Sequence, residues 1–224
     1  MIVKLETIGE TVDLPDGIGA ISFDEFNELS RCAKSLLREG EPGIALYRGE
    51  RRLKPKDIVL IDSLIELPFD DRRLVGAYAS RAATEIEACE SLATKAHEIR
   101  ARVGEMITEL GASLRTDPTV DTERDFKSFA KLLSLSPRRE PDGTLPMRFL
   151  SFIDYVCDTG LNPSIAVIGL IDKLNPADVL LITRKVRHES LEMLFLEYRE
   201  MDTADIEMPV WHVDRDGVLF SRAV

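Results

Sequence analysis

The sequence predicts an α/β head domain split by an inserted α-helical domain, and three observations predict it. Short apolar runs that read as buried strands fall near both ends of the 224-residue chain. A strand–helix–strand order near the C-terminus requires parallel neighbours, and the N-terminal part alone offers too few strands for a complete sheet. Between the two ends, residues 74–110 contain no proline and repeat apolar residues in steps of three and four. The two ends are therefore expected to build one sheet together. The expected bounds are 1–69 and 162–224 for the discontinuous head, and 70–161 for the helical domain.

Taken in order, Ile2–Glu6 and Thr11–Leu14 alternate apolar and polar residues as a β-ribbon, and Pro15-Asp16-Gly17 signals a turn. Gly19–Ser22 reads as a third short strand. Ser22-Phe23-Asp24-Glu25 matches a capping box, with Ser22 as the cap of a helix carrying Phe26, Leu29, Cys32, Ala33, Leu36 and Leu37 at helical spacing and closed by Gly40. Gly43–Tyr47 and Asp57–Ile61 read as buried strands, joined by a basic loop from Arg48 to Lys56. Apolar positions at Tyr78, Ala82, Ile86, Cys89, Ala93, Ala96, Val103, Ile107 and Leu110 then form one stripe on a very long helix. Unbroken, it extends on the order of 50 Å, with Gly76 and Gly104 as its weak points. Shorter amphipathic helices are predicted at Asp125–Leu133 and Met147–Cys157, packing with the long one. The α/β pattern resumes with a strand at Ser164–Gly169. A helix follows over Ala177–Arg187, with Asn175 as N-cap and Pro176 at its first position. A strand at Leu191–Leu196 comes next, then a hairpin pairing Val210–Val213 with Val218–Ser221.

Composition limits the classes of function. Hydrophobic residues at 44% and charged residues at 31% are ordinary for a globular chain. No apolar run approaches the ~20 residues that span a bilayer, and Met1–Asp13 lacks the basic-then-apolar order of a signal peptide. Three separated cysteines, Cys32, Cys89 and Cys157, argue against a disulfide framework and for a reducing compartment. A cytoplasmic, non-membrane protein is expected. The net charge of -11 counts against nucleic acid, although a basic stripe on an acidic protein escapes such a sum.

The motif search is largely negative. Ile58-Val59-Leu60-Ile61-Asp62 resembles a Walker B strand, yet the chain has no Gly-Lys pair and so no Walker A phosphate loop. His97, His188 and His212 fall in no metal-ligand spacing and near no nucleophile elbow. The cysteines lie on apolar helix faces, where burial is expected rather than reactivity, and Trp211 reads as a core or edge aromatic. Two charged clusters remain. Asp117, Asp121, Glu123 and Asp125 gather hard oxygen ligands of the kind calcium takes, without the EF-hand register. The plainer reading of the same residues is a helix N-terminus, where the dipole favours acids. Arg51, Arg52, Lys54 and Lys56 form a basic loop, which is either simply solvated or a contact for a duplex backbone.

The order of segments resembles the small ring-forming, DNA-end-binding adaptation protein of type II-A CRISPR systems, over nearly the whole chain. The carriers are Met1-Ile-Val-Lys-Leu, the strand Asp57-Ile-Val-Leu-Ile-Asp with a long helix after it, Phe129-Ala-Lys-Leu-Leu, and Ser164-Ile-Ala-Val-Ile-Gly through Asn175-Pro-Ala-Asp-Val-Leu to Leu191-Glu-Met-Leu-Phe-Leu-Glu. The resemblance implies a P-loop-ATPase-like head lacking Walker A, which binds no nucleotide and catalyses nothing. It implies a homotetrameric ring around linear double-stranded DNA, stabilised by calcium, acting in spacer acquisition beside the CRISPR integrase and effector nuclease. By position it makes Arg51, Lys54 and Lys131 channel residues, with Arg52 and Lys56 added from local charge. Glu123 is its best match to a calcium ligand. The chain departs from the family in favouring arginine over lysine, and in the loop Arg138–Thr144. Two alternatives stand beside this reading: a protein-interaction scaffold that does not touch DNA, and a metal-dependent nuclease built on the acidic cluster.

Overall fold

Strands from both ends of the chain meet in one sheet. In the computed structural model, which describes residues 1–111, 137, 143–201 and 206–222, ten strands form two sheets. The first sheet has the order β2-β1-β4-β5 and joins β1 (Ile2–Leu5), β2 (Glu10–Asp13), β4 (Ile44–Arg48) and β5 (Arg51–Arg52) in antiparallel pairs. The second has the order β10-β9-β3-β8-β7-β6 and joins β3 (Ile18–Phe23), β6 (Ile58–Ile61), β7 (Ser164–Ile168), β8 (Glu192–Tyr198), β9 (Val210–Val213) and β10 (Leu219–Arg222). All of these run parallel except β10, which pairs antiparallel with β9. This is a mixed α/β fold with a parallel sheet.

Burial explains the arrangement. Every residue of β3 is buried, as expected of a central strand covered on both faces. Gly19–Ser22 therefore does not extend the N-terminal ribbon; it is the interior of the large sheet, paired with β8 and β9. Helix α1 (Phe26–Leu37) buries Leu29, Cys32 and Leu36 in a core shared with Val3, Leu46, Ile21 and Leu196. Its Ser35 hydroxyl accepts the Ile44 N–H at 2.7 Å and lies 2.7 Å from the Cys32 carbonyl, which holds β4 against the helix. A Cβ at Gly43 would fall 2.5 Å from the Ser35 oxygen, so this approach requires glycine. Helix α5 (Pro176–His188) starts as its sequence indicates, with the Asn175 side chain accepting the Asp178 N–H at 2.9 Å and Pro176 in the first turn.

Two local expectations fail. Ser22 does not cap α1: it is buried within β3, and the N-cap is Glu25, whose side chain makes no capping hydrogen bond. The long helix is two helices, α2 (Arg72–Ala88) and α3 (Glu90–Gly111), divided at Cys89. Cys89 is extended, with φ -101° and ψ 108°, so the break falls at neither predicted glycine. Ala79, Ala83 and Ala96 pack in one cluster. On a straight helix Ala79 and Ala96 would lie about 25 Å apart, so the chain folds back at the break. Of the predicted stripe only Ala96 is buried, beside Ala79 and Ala83, which lie outside it, with Ile86 partly buried against them. The three- and four-residue steps run across Cys89 because one extended residue hardly disturbs the count.

The chain divides into two compact units: Met1–Pro68, Arg139–Cys157 and Asn162–Val224 in one, Phe69–Arg138 and Asp158–Leu161 in the other. The first takes in most of α4 (Leu145–Thr159), which the sequence grouped with the helical insertion. Phe149, Phe152, Ile153 and Val156 are buried on that helix. The predicted helix Asp125–Leu133 lies outside the described residues.

Candidate functional site

The basic loop is a hairpin. Tyr47 pairs with Arg52 and Arg48 with Arg51 across a turn whose Gly49 has φ +60°. Arg51, Arg52, Lys54 and Lys56 are all exposed and cluster over β5 and the 3-10 turn Pro55–Asp57 that follows it. The guanidinium groups are already engaged. Arg51 donates to Asp57 at 2.6 Å and Arg52 approaches Glu6 at 3.0 Å. Burial works against the ionised Asp57 carboxylate. The hydrogen bonds from Arg51 and the Lys54 N–H, with the nearby Lys56 charge, outweigh it and hold Asp57 below its usual range. Lys54 makes no ion pair among the described residues. Pairs this exposed contribute under about 1 kcal/mol each, so a phosphate oxygen can displace such a carboxylate.

Arg48 anchors the hairpin. It donates to Glu192 at 2.7 and 3.1 Å and to the Asn162 carbonyl at 3.2 Å. Glu192 also accepts from the Ser164 hydroxyl. Despite partial burial, these bonds keep Glu192 ionised below its ordinary range. The root of the hairpin is thus tied to the starts of β7 and β8.

Lys131 and the four acidic candidates, Asp117, Asp121, Glu123 and Asp125, lie outside the described residues. Among the described residues no three His, Cys, Asp or Glu side chains converge as a metal site. Asp62, which closes the Walker B-like run, is exposed just past β6, and β6 is an edge strand of the sheet. The connection from β3 to α1, a strand-to-helix junction of the kind that holds phosphate in nucleotide-binding folds, is Asp24-Glu25, acidic and without glycine.

A polar row at the carboxyl ends of the parallel strands escaped the sequence reading. Register places Ser22 opposite both Glu197 and His212. Ser22 Oγ lies 2.9 Å from His212 Nδ1, and His212 Nε2 lies 3.5 Å from Asp24. Ser22 and His212 are 1% and 6% exposed, so this Ser–His–Asp contact offers no substrate a nucleophile and is a satisfied polar core. Glu197 is wholly buried. Its Oε1 accepts the Ile171 N–H at 2.9 Å at the start of the 3-10 turn Ile171–Lys173, while Oε2 has no hydrogen-bond partner among the described residues. Burial, reinforced by the Asp172 charge and opposed by the backbone N–H groups of that turn, pushes its carboxyl up to about 7. The missed signal was alternation: Glu197 shares the inward face of β8 with Met193 and Phe195. A cavity of about 210 Å³ adjoins the same turn, lined among others by Leu174, Val179, Met201 and Ile206.

The cysteines divide by environment. Cys32 is buried, which drives its thiol up to about 12, and burial likewise raises Cys157 to about 11. Cys89 departs from expectation. It sits at the α2–α3 break, where the Ser91 hydroxyl and the Leu92 N–H lower its pKa.

No known family profile matches the chain, and no curated protein is similar to it. Among solved structures, similarity extends to an Smc head bound to the C-terminal winged-helix domain of ScpA, at 14% identity and TM-score 0.44, covering 100% of this chain and 96% of that one. An Smc head with an extended coiled coil, bound to the C-terminal domain of ScpA from Pyrococcus furiosus, gives 12% identity and TM-score 0.43 over 100% and 95%. A nucleotide-free ATP-binding cassette from an ABC transporter gives 15% identity and TM-score 0.45 over 94% and 87%.

Proposed function

We propose that this chain is a non-catalytic protein that binds the ends of linear double-stranded DNA as a homotetrameric ring in CRISPR spacer acquisition. The observation that carries the reading is the contrast between two places in the α/β head. The junction after β3 has two acidic residues where a phosphate loop would need glycines and a lysine. The β4–β5 hairpin, anchored by Arg48, and the 3-10 turn after it carry four exposed cations within six positions. The first disfavours nucleotide hydrolysis, and the second supplies the charge that a duplex backbone takes. Segment order supports the assignment to spacer acquisition beside an integrase and an effector nuclease. Calcium as a stabiliser of the ring rests on the sequence resemblance and on Asp117, Asp121, Glu123 and Asp125.

Gel shifts with linear and covalently closed circular duplexes of one sequence, with calcium and with a chelator, test the reading. A closed ring loads from an end, so the linear form is retained and the circular form is not. Equal retention, or no retention at moderate salt, would refute it. Light scattering with and without chelator tests both the tetramer and its dependence on calcium.

The ion pairs of Arg48, Arg51 and Arg52 favour a second reading, a protein-interaction scaffold, because these cations are already neutralised within the chain. Charge reversal at Arg51, Arg52 and Lys54 separates the two. DNA retention falls and its salt dependence flattens only if these groups meet phosphates.

A further inference from the structure

At the carboxyl ends of β3 and β8 two aromatic rings face solvent. Phe26, the first residue of α1, is 60% exposed, and Tyr198, the last of β8, is 36% exposed. Their centroids are 5.7 Å apart at an interplanar angle of 86°, an edge-to-face pair. An aromatic ring left this open at the start of a helix adds nothing to the core, whereas Leu29 and Leu36 of the same helix are buried.

The chain itself shows what these rings accept. The Arg199 guanidinium lies over Tyr198, 5.2 Å from the ring centroid, within cation–π range. Arg199 has φ +72°, a region that bulky residues enter at a cost and that clusters at binding sites. Its N–H donates to the Phe23 carbonyl at 2.8 Å, which fixes the backbone there. Acidic residues surround the pair in sequence: Asp24, Glu25 and Glu28 bracket Phe26, and Glu200 follows Arg199. Arg31 pairs with Glu28, and the carboxylates still outnumber the cations. Such a rim repels phosphate and attracts guanidinium and ammonium groups.

We propose that this surface docks a basic segment of a partner protein. An arginine of the partner covers the Phe26 ring as Arg199 covers Tyr198, and the carboxylates of Asp24, Glu25 and Glu28 meet its neighbouring charges. Aromatic anchors with a charged rim are the usual composition of protein-binding patches. The inference does not depend on DNA binding by the β4–β5 hairpin, which is a separate place on the chain.

Fluorescence anisotropy of a labelled Arg-Gly repeat peptide titrated with the full chain tests it. Phe26→Ala changes no charge and is expected to weaken binding about 5-fold, the usual scale of one cation–π contact. Glu25→Lys weakens it by a similar or larger factor. Arg199→Gly removes a like charge from the rim and uncovers the Tyr198 ring, suits the positive φ, and tightens binding. Equal affinity of wild type and Phe26→Ala would overturn the proposal, because general acidity would then account for all the attraction. Absence of binding up to about 1 mM peptide, near 4 kcal/mol of affinity, would overturn it too. A short duplex DNA run in parallel decides the remaining case: if Phe26→Ala and Arg199→Gly both weaken DNA and leave the peptide unchanged, the surface meets nucleic acid and the proposal is wrong.

Discussion

Replacing Glu197 by glutamine should remove a pH dependence of stability that this one side chain imposes. In the unfolded chain its carboxyl has the ordinary value of 4.5, whereas in the fold burial raises it to about 7. Between those values the folded state holds a proton that the unfolded state has lost, so raising the pH favours unfolding. The contribution is fully present below 4.5 and is lost as pH rises through about 7. At 1.36 kcal/mol per pH unit, the loss between pH 5 and pH 8 is on the order of 2.5 kcal/mol. Glutamine keeps the shape and an oxygen for the Ile171 N–H, and it cannot ionise. Urea unfolding of wild type and Glu197→Gln at a series of pH values from 5 to 8 supplies the comparison. The difference between the two should fall steadily with pH, while other groups cancel because both proteins share them. A difference flat to within about 0.5 kcal/mol, small against the expected loss, would refute the reasoning: Glu197 would then be ionised throughout, or reached by water.

Three further outcomes are expected. Arg48→Ala leaves the Glu192 carboxylate, whose side chain is only 15% exposed, with the Ser164 hydroxyl alone. It should lower stability near neutral pH by about 2 kcal/mol in denaturant titration. That cost should shrink in acid, because Glu192 is held below its ordinary 4.5 and its stabilisation disappears as pH falls through the lowered value. In a native thiol assay near pH 8, Cys89 should react first and Cys32 only on unfolding, because the first is half-buried with a lowered pKa and the second is fully buried with a raised one; peptide mapping of the labelled protein checks the order. Glu6→Gln releases Arg52 from its carboxylate, and under the DNA-end reading it should tighten binding of linear duplex about 2-fold, the scale of one exposed ion pair. Unchanged or weaker binding there would count against Arg52 as a phosphate contact.

Much of the fold was legible because local chemistry coincided with the tertiary outcome. Asn175-Pro176 starts a helix wherever it sits, since the cap and the fixed proline φ are properties of those residues. The apolar runs of β6, β7 and β8 read as buried parallel strands for the same reason: a strand covered on both faces has no polar face to show. Ser22 misled because a cap signature is written in four residues, whereas its burial in β3 is decided by β8 and β9, more than 160 positions away. The break at Cys89 was illegible because a periodic count passes over one residue that leaves the helix.

The α/β class, the lack of any Gly-Lys pair and the concentration of cations between Arg48 and Lys56 were all readable from the chain. These follow from residue types and short spacings. Only the tertiary structure decided which carboxylates neutralise those cations, that Glu197, Ser22 and His212 form one buried row, and that Phe26 and Tyr198 share an exposed edge. Each depends on strand register between distant segments, and register is fixed by the packing of the whole sheet rather than by any window of the chain.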